Sequence, residues 1–176
     1  MSAQPILAVD VDGVLNACND GPPAPGWQDA RVHPHGSRGR GFRIRYNAAH
    51  GARLQAIAEE ASAELVWCTT WEEMANQYIR QLVGLPELPW VPMEPGRAGL
   101  KFSQRASVGM TKAAAMRSYA GDRPFCWLDD EPDAADELRD CPVPHLVVHV
   151  DHSLGLQDEH FAAARAWLAA IPEVTP

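Results

Sequence analysis

The first residues that could do chemistry are Asp10 and Asp12, which are separated by one residue in the segment DVDGV. They directly follow residues 5–9, a short apolar run that is typical of a buried strand. Two carboxylates at this spacing can flank one bound group, and Gly13 permits a sharp turn beside them. Asp and Gly are also common turn residues, so the segment alone is equally compatible with a surface turn.

A second acidic pair, Asp129 and Asp130, follows the apolar run 124–128. Adjacent carboxylates repel each other, and a bound cation would relieve that repulsion. Hard oxygen ligands of this kind suit Mg²⁺. The alternative is that these acids stabilise the positive N-terminal end of a short helix that begins near Asp133.

Two further signals come from Thr69 and Thr70 and from Lys112. The threonines follow the apolar run 64–68 and precede a predicted helix, where hydroxyls and free N–H groups could hold a phosphate. Simple capping of that helix by Thr70 is the alternative. Lys112 opens another predicted helix, where a cation is unfavourable unless an anion lies nearby. Taken alone, Lys112 is best interpreted as an ordinary exposed lysine.

The elements that must position these residues alternate between strands and helices. We predict buried strands at 5–9, 64–68 and 124–128, a fourth strand at 144–150, and helices at 47–61, 72–82, 112–119, 133–139 and 157–171. Residues 42–46 alternate as a half-exposed strand would, whereas 17–41 are predicted to be a long loop. Continuously apolar strands favour a parallel sheet covered on both faces. Ligands bind beyond the carboxyl ends of such strands, so the polar groups converge if the strands are neighbours.

Helix ends and cysteines give further expectations. Asn47 is expected to cap the first helix, and Thr111 the helix that begins at Lys112. The four cysteines are irregularly spaced, so a zinc site is disfavoured. Cys68 and Cys126 lie inside apolar runs and are expected to be buried free thiols. The tryptophans 67, 71, 90 and 127 are interpreted as packing residues rather than as base-stacking platforms.

Composition limits the class of protein. Apolar residues make up 46% of the sequence and charged residues 22%, as in a globular domain. There is no apolar run of the roughly 18 residues that a membrane helix needs, and no secretory signal, so a cytoplasmic location is expected. A net charge of −8 does not favour broad nonspecific binding to nucleic acid.

In their combination and order, these motifs resemble those of the haloacid dehalogenase (HAD) superfamily of phosphohydrolases. DVDGVLN is similar to its first motif, CTTW to its second, Lys112 with the following helix to its third, and WLDDE to its fourth. The resemblance extends over about residues 5–150. WCTTW and FCWLDDE further resemble small HAD domains of uncharacterised bacterial proteins and of RNA-repair assemblies.

The resemblance implies a three-layer Rossmann-like α/β fold with a mainly parallel sheet, and a Mg²⁺-dependent phosphatase activity. It implies that Asp10 is the nucleophile and that Asp12 is the general acid and base, with its backbone carbonyl on the metal. The other implied site residues are Gly13, Thr69, Thr70 and Lys112 for the phosphoryl group, and Asp129 and Asp130 with Asp10 for the metal. Lys101 is an alternative candidate for the role of the lysine.

No segment is long enough for a large cap, so we predict one catalytic domain over residues 1–176, with 17–46 as a flap or substrate loop. Residues 85–110 could add substrate contacts. Five arginines occur within fifteen residues that contain no acid: Arg31, Arg38, Arg40, Arg43 and Arg45. We hypothesise that Arg40 and Arg43 hold an anionic substrate, such as a nucleotide or a nucleic-acid end. The alternative is a solvated loop that balances an acidic protein.

Two other classes of function remain open at this point. A phosphoacceptor domain of the response-regulator type also combines acids, a Thr or Ser, and a Lys. Its acceptor aspartate normally ends a later strand, whereas here the acids are divided between the first and third buried strands. A catalytically idle scaffold domain is the other alternative, and it is disfavoured because all the expected catalytic residue types are present. The leading prediction is a phosphatase acting on a small phosphometabolite, a nucleotide or a polynucleotide end.

Overall fold

The computed structural model describes residues 4–34, 39–93 and 111–171. The strands in these ranges are β1 Ile6–Val9, β2 Gln28–Val32, β3 Phe42–Tyr46, β4 Glu64–Trp67, β5 Phe125–Asp129 and β6 His145–His149. The helices are α1 His50–Glu60, α2 Glu73–Tyr78, α3 Arg80–Val83, α4 Lys112–Ala120, α5 Ala134–Glu137 and α6 Asp158–Ala170. Lys101 and residues 94–110 of the predicted substrate segment lie outside the described residues.

Four of the strands form one parallel sheet in the order β4-β1-β5-β6. The central strand is β1, whose Val9 is in register with Trp67 on one side and with Leu128 on the other. The carboxyl ends of β4, β1 and β5 therefore meet at the same edge of the sheet. The predicted α/β architecture with a mainly parallel sheet is confirmed.

Each face of the sheet carries its own apolar core, because successive side chains of a strand point to opposite faces. Leu7 and Val9 of β1 belong to the core that also contains Leu54 of α1 and Phe161 of α6. The alternate residues of β1 pack instead with Met116 of α4 and the neighbouring helix α5. Burial of each large apolar side chain contributes roughly 1.5–3 kcal/mol. The result is three layers, with the sheet in the middle.

Strands β2 and β3 form a separate antiparallel hairpin. Its register places Val32 opposite Phe42, and Arg31 opposite Arg43. The prediction of a continuous loop over 17–41 was therefore wrong at Gln28–Val32, while the predicted strand at 42–46 is confirmed. Strand β2 has the sequence QDARV and is mostly exposed, so it lacks the apolar alternation by which a strand is recognised.

Two of the predicted helices differ in detail from the structure, and the predicted cap of a third is confirmed. Asn47 does not cap α1: its Oδ1 accepts a hydrogen bond of 3.0 Å from the N–H of Ala49, and the helix begins at His50. The predicted helix at 72–82 is divided into α2 and α3, which meet at Ile79. The capping of α4 is confirmed, because the Thr111 hydroxyl accepts from the N–H of Ala114 at 3.2 Å.

No helix in the described part of the chain combines the length and the apolar character that crossing a membrane requires.

Candidate active site

Asp10 follows the central strand β1 directly and is buried, with 4% of its surface exposed. Its N–H donates to the carbonyl of Leu128 on β5 at 3.1 Å, which extends the parallel ladder to the carboxylate itself. The Asp10 Oδ1 atom accepts from the N–H of Val11 at 2.6 Å. The strand ladder and the following turn therefore fix both the position and the orientation of this side chain.

Lys112 connects this carboxylate to the acidic pair after β5. Its Nζ atom lies 2.6 Å from Asp10 Oδ2 and 2.8 Å from Asp129 Oδ2, and 3.5 Å from a carboxylate oxygen of Glu131. The lysine side chain is only 9% exposed. Burial alone would lower the pKa of Lys112, but the two buried aspartates outweigh that effect and raise it above its ordinary value. The lysine thus stays charged at the start of α4.

Three carboxylates surround one position at this edge of the sheet. Asp10, Asp129 and Asp130 each offer an oxygen atom, and these atoms all lie within 4.8 Å of one another. Burial and the neighbouring charge of Asp10 raise the pKa of Asp129 and that of Asp130. Crowded, desolvated carboxylate oxygens are the ligand type that a hard divalent cation such as Mg²⁺ prefers. The donor set therefore fits a metal ion of this kind.

Gly13 allows the nucleophile loop to approach Asp130. Its φ is +77°, a left-handed conformation that residues with a side chain rarely adopt. A Cβ atom at this position would overlap the carboxylate of Asp130. The glycine is therefore required both by the backbone of the turn and by the close approach of the third acid.

The side chain of Asp12 is held by two neutral donors. Its Oδ1 atom accepts from the amide of Asn16 at 2.7 Å, and its Oδ2 atom accepts from the indole N–H of Trp71 at 2.8 Å. Burial raises the pKa of Asp12, while these two hydrogen bonds act in the opposite direction. Both carboxylate oxygens are thus oriented by neutral donors. Ligation of a metal ion by the backbone carbonyl of Asp12, which the family resemblance implies, remains a prediction.

Thr69 lies beyond β4 and is almost fully buried, with 1% of its surface exposed. Its hydroxyl oxygen accepts from the N–H of Trp71 at 3.3 Å, and its carbonyl accepts from Glu72 at 3.0 Å. Helix α2 begins only at Glu73, after Glu72 in a left-handed conformation with φ +46°. The half-buried Thr70 is therefore not the cap of that helix.

Two arginines of the arginine-rich segment bind groups within the protein. Arg45 is buried and makes a bidentate ion pair with Asp29 at 2.8 and 2.9 Å, which lowers the pKa of that carboxyl group. Arg43 donates to the carbonyl of Asn19 and lies 3.6 Å from Asp20. These two arginines anchor the hairpin to the loop that precedes it.

Arg40 lies at the exposed end of the hairpin, where its carbonyl accepts from Arg31 at 3.2 Å. Arg38 lies outside the described residues. Contact of Arg40 or Arg43 with a substrate remains a prediction.

Sequence reasoning missed the part that Trp71 and Asn16 play in the site. Trp71 is buried, as a packing residue would be, but its N–H reaches Asp12. Asn16 bonds Asp12 through its amide, and its Oδ1 accepts from the N–H of Arg45 at 2.8 Å. The available signal was their position in the sequence. Asn16 lies four residues after Asp12, and Trp71 directly follows the two threonines.

Comparison with known proteins agrees with this arrangement. A search of curated proteins gives no match to the chain. A family model described as the HAD domain in Swiss Army Knife RNA repair proteins matches residues 6–161, a range that contains every predicted site residue. The family suggests phosphatase or hydrolase activity, and the buried acidic cluster is consistent with the metal dependence typical of HAD domains. The chain therefore belongs to the HAD superfamily, in the family of HAD domains found in Swiss Army Knife RNA repair proteins.

Proposed function

We propose that this chain is a Mg²⁺-dependent phosphatase that hydrolyses a phosphomonoester through an aspartyl-phosphate on Asp10. One observation carries the proposal: the buried Asp10 carboxylate is held by Lys112 at 2.6 Å beside two further acids, at the carboxyl end of the central strand. The buried Lys112 balances only part of the negative charge that the carboxylates of Asp10, Asp129 and Asp130 bring to this edge. These groups suit a site that must admit a charged phosphoryl group.

In the first step, a carboxylate oxygen of Asp10 attacks phosphorus, and the bond from phosphorus to the leaving oxygen breaks. Asp12 gives its proton to that oxygen, so the alcohol leaves in neutral form. The hydrogen bonds from Asn16 and Trp71 orient the Asp12 carboxyl group for this transfer. Thr69, Thr70 and the backbone near Gly13 hold the phosphoryl oxygens.

In the second step, Asp12 removes a proton from a water molecule, which attacks phosphorus as the bond to Asp10 breaks. Inorganic phosphate leaves, and both aspartates return to their starting states. Lys112 offsets part of the negative charge on Asp10 and on the phosphoryl oxygens throughout. Its ion pairs with Asp10 and Asp129 support this role.

Asp10, Asp129 and Asp130 would hold the metal ion, together with the backbone carbonyl of Asp12. Bound Mg²⁺ would supply charge neutralisation, without which the acids would repel a dianionic substrate. Lys112 provides one positive charge against three carboxylates, which supports the need for a divalent cation.

For the substrate, we propose a nucleotide or a nucleic-acid end. The family description supports this choice, because it places such HAD domains in RNA repair proteins. We further propose that residues 1–176 form a single catalytic domain without a large cap, in which the β2–β3 hairpin serves as the flap over an open site. Small phosphometabolites are the alternative class of substrate, and phosphate release from them in place of nucleotides would identify it.

The test is phosphate release from 4-nitrophenyl phosphate by the full chain, with Mg²⁺ or with EDTA. We expect metal-dependent turnover that Asp10→Asn abolishes, whereas Asp122→Asn, an exposed acid after α4, retains it. Asp12→Asn should accumulate enzyme whose mass has increased by one phosphoryl group, because hydrolysis of the intermediate loses its base. Undiminished turnover by Asp10→Asn would exclude Asp10 as the nucleophile and overturn the proposal.

A further inference from the structure

The exposed aromatic ring of Phe42 lies at the start of β3, on the hairpin that follows the nucleophile loop. Phe42 is 48% exposed, and with Leu154 it makes up the exposed large hydrophobic residues of the described chain. Single exposed apolar residues are common on protein surfaces and need no explanation by themselves. Phe42 differs from such a residue because it lies beside Trp71, the residue that hydrogen-bonds Asp12.

Strand alternation places Phe42 on the inner face of the hairpin. Ile44, two residues along β3, and Val32, its partner on β2, are both buried in the core. Because side chains two residues apart share a face, Phe42 continues this apolar face to the point where it leaves the core. Arg43 and Arg45 occupy the opposite face and are bound to Asn19 and Asp29.

On that inner face, Phe42 contacts the residue that orients Asp12. The ring centroids of Phe42 and Trp71 are 6.0 Å apart, with an interplanar angle of 74°, which is an edge-to-face contact. The indole N–H of Trp71 in turn donates to Asp12 Oδ2 at 2.8 Å. An exposed aromatic ring therefore lies one side chain away from the group that would protonate the leaving oxygen.

The leaving group must lie on the Asp12 side of the phosphoryl group, since Asp12 would give it a proton. The hairpin presents an aromatic ring there. On its other face, the guanidinium groups of Arg43 and Arg45 already bind Asn19 and Asp29. An aromatic surface without a fixed hydrogen-bond donor binds flat rings by stacking, with little dependence on their substituents. The surface thus fits a base rather than a second phosphate.

We propose that Phe42 is a specificity-determining residue that stacks on the nucleobase of the leaving group, so that the preferred substrates are phosphomonoesters of nucleosides, including the terminal nucleotide of a chain. This inference rests on the proposed function, because that function places the phosphoryl group at Asp10 and the leaving group at Asp12. The nucleobase is thus recognised by face-to-face stacking on the Phe42 ring, rather than by Arg43 or Arg45.

Binding to the Asp10→Asn protein, which the proposed mechanism makes inactive, tests the inference without requiring turnover. Isothermal titration in the presence of Mg²⁺ would compare adenosine 5′-monophosphate and adenosine 3′-monophosphate with ribose 5-phosphate, which has no base. Adding Phe42→Ala should weaken binding of the better nucleotide by roughly 5- to 100-fold. Affinity for ribose 5-phosphate should change by less than about twofold, since that ligand lacks the stacking ring.

Two further variants separate stacking from structural damage. Phe42→Trp should retain or improve nucleotide affinity, because it restores an aromatic face. Leu154→Ala, at the other exposed large hydrophobic residue, should leave all affinities unchanged. Equal weakening of the nucleotide and ribose 5-phosphate by Phe42→Ala would overturn the inference. So would nucleotide binding that is unaffected by this change or absent in Asp10→Asn.

The aryl phosphate assay of the wild-type chain distinguishes the two failures. If hydrolysis depends on Asp10 but nucleotide affinity does not depend on Phe42, the phosphatase proposal stands and the stacking inference fails. If no Asp10-dependent hydrolysis occurs, yet Phe42→Ala selectively weakens nucleotide binding, the stacking site stands and the proposed reaction fails.

Discussion

Lys112 Nζ lies 2.6 Å from Asp10 Oδ2, although the two residues are 102 positions apart in the chain. The same ammonium lies 2.8 Å from Asp129 Oδ2, so one buried cation connects the acids that follow β1 and end β5. A buried charge of this kind is unfavourable unless its partners are present. The lysine is therefore a structural requirement of the acidic site as well as a candidate for offsetting phosphate charge.

Replacing this cation should affect both stability and turnover. We expect Lys112→Met to lower phosphatase turnover by about 100-fold or more, because the charge beside Asp10 is lost. Chemical denaturation in EDTA should show a loss of about 3 kcal/mol in the free energy of unfolding, since buried carboxylates lose their partner. Added Mg²⁺ should restore part of that stability. Arg117→Met, at an exposed cation on the same helix, is the control, and equal effects of both changes would contradict the prediction.

The position of Gly13 predicts a selective loss of metal binding. Gly13→Ala places a methyl group where the Asp130 carboxylate lies, so we expect weaker binding of Mg²⁺ by isothermal titration, by about tenfold or more. Gly121→Ala is a matched control, because Gly121 also has a positive φ, +59°, but has open space around its missing Cβ. Both changes should cost about 1 kcal/mol through backbone strain. If Gly121→Ala weakens Mg²⁺ binding as much as Gly13→Ala does, strain rather than displacement of Asp130 is responsible.

The indole N–H of Trp71 should matter most when the leaving group needs a proton. Trp71→Phe removes the donor to Asp12 Oδ2 and retains an aromatic ring. We expect a fall in kcat of about tenfold for alkyl phosphates, and a smaller fall for 4-nitrophenyl phosphate, whose leaving group departs readily without protonation. Trp67→Phe is the control, because that indole donates at 2.8 Å to Asn76 instead. It should lower stability without changing the dependence on the leaving group. A Trp71→Phe effect that is equal for both substrates would show that this bond does not assist protonation.

His50 predicts a loss of stability in mild acid. It is 3% exposed, its Nδ1 atom is buried without a hydrogen-bond partner in the described structure, and burial lowers its pKa to about 4. Between the pKa of about 6.5 in the unfolded chain and about 4 in the folded chain, only the unfolded state gains a proton. Stability that is fully present above pH ~6.5 should therefore be lost as the pH falls through this window, by up to about 3 kcal/mol.

Thermal or urea unfolding of His50→Gln across this pH range provides the measurement. The variant should show a flatter dependence of unfolding free energy on pH, because its side chain does not titrate. His149→Gln, at an exposed histidine of β6, should retain the wild-type slope. An unchanged slope in His50→Gln would remove His50 as the origin of the acid sensitivity.

The types of the reacting groups, and the points at which they follow the strands, were predictable from the order of the residues alone. Continuous apolar runs bounded by polar residues identified β1, β4 and β5, because buried strands admit few polar side chains. The shorter apolar run of β6 was also recognised as a strand, although β6 lies at the edge of the sheet and is only partly buried. The motif order of Asp10, Thr69, Lys112 and Asp129 was therefore visible without any knowledge of contacts. Capping of α4 by Thr111 was also predictable, since it depends on one local hydrogen bond.

Which of these groups meet, and which residues hydrogen-bond them, depends on strand order and packing. The strand order β4-β1-β5 brings the ends of three separate segments to one edge of the sheet. Lys112, which looks like an ordinary exposed lysine in the sequence, is buried at this edge and pairs with Asp10 and Asp129. The bond from Trp71 to Asp12 and the division of the hairpin into a Phe42 face and an arginine face follow from register and packing. These contacts join residues far apart in the chain, so they cannot be predicted from local propensity or periodicity.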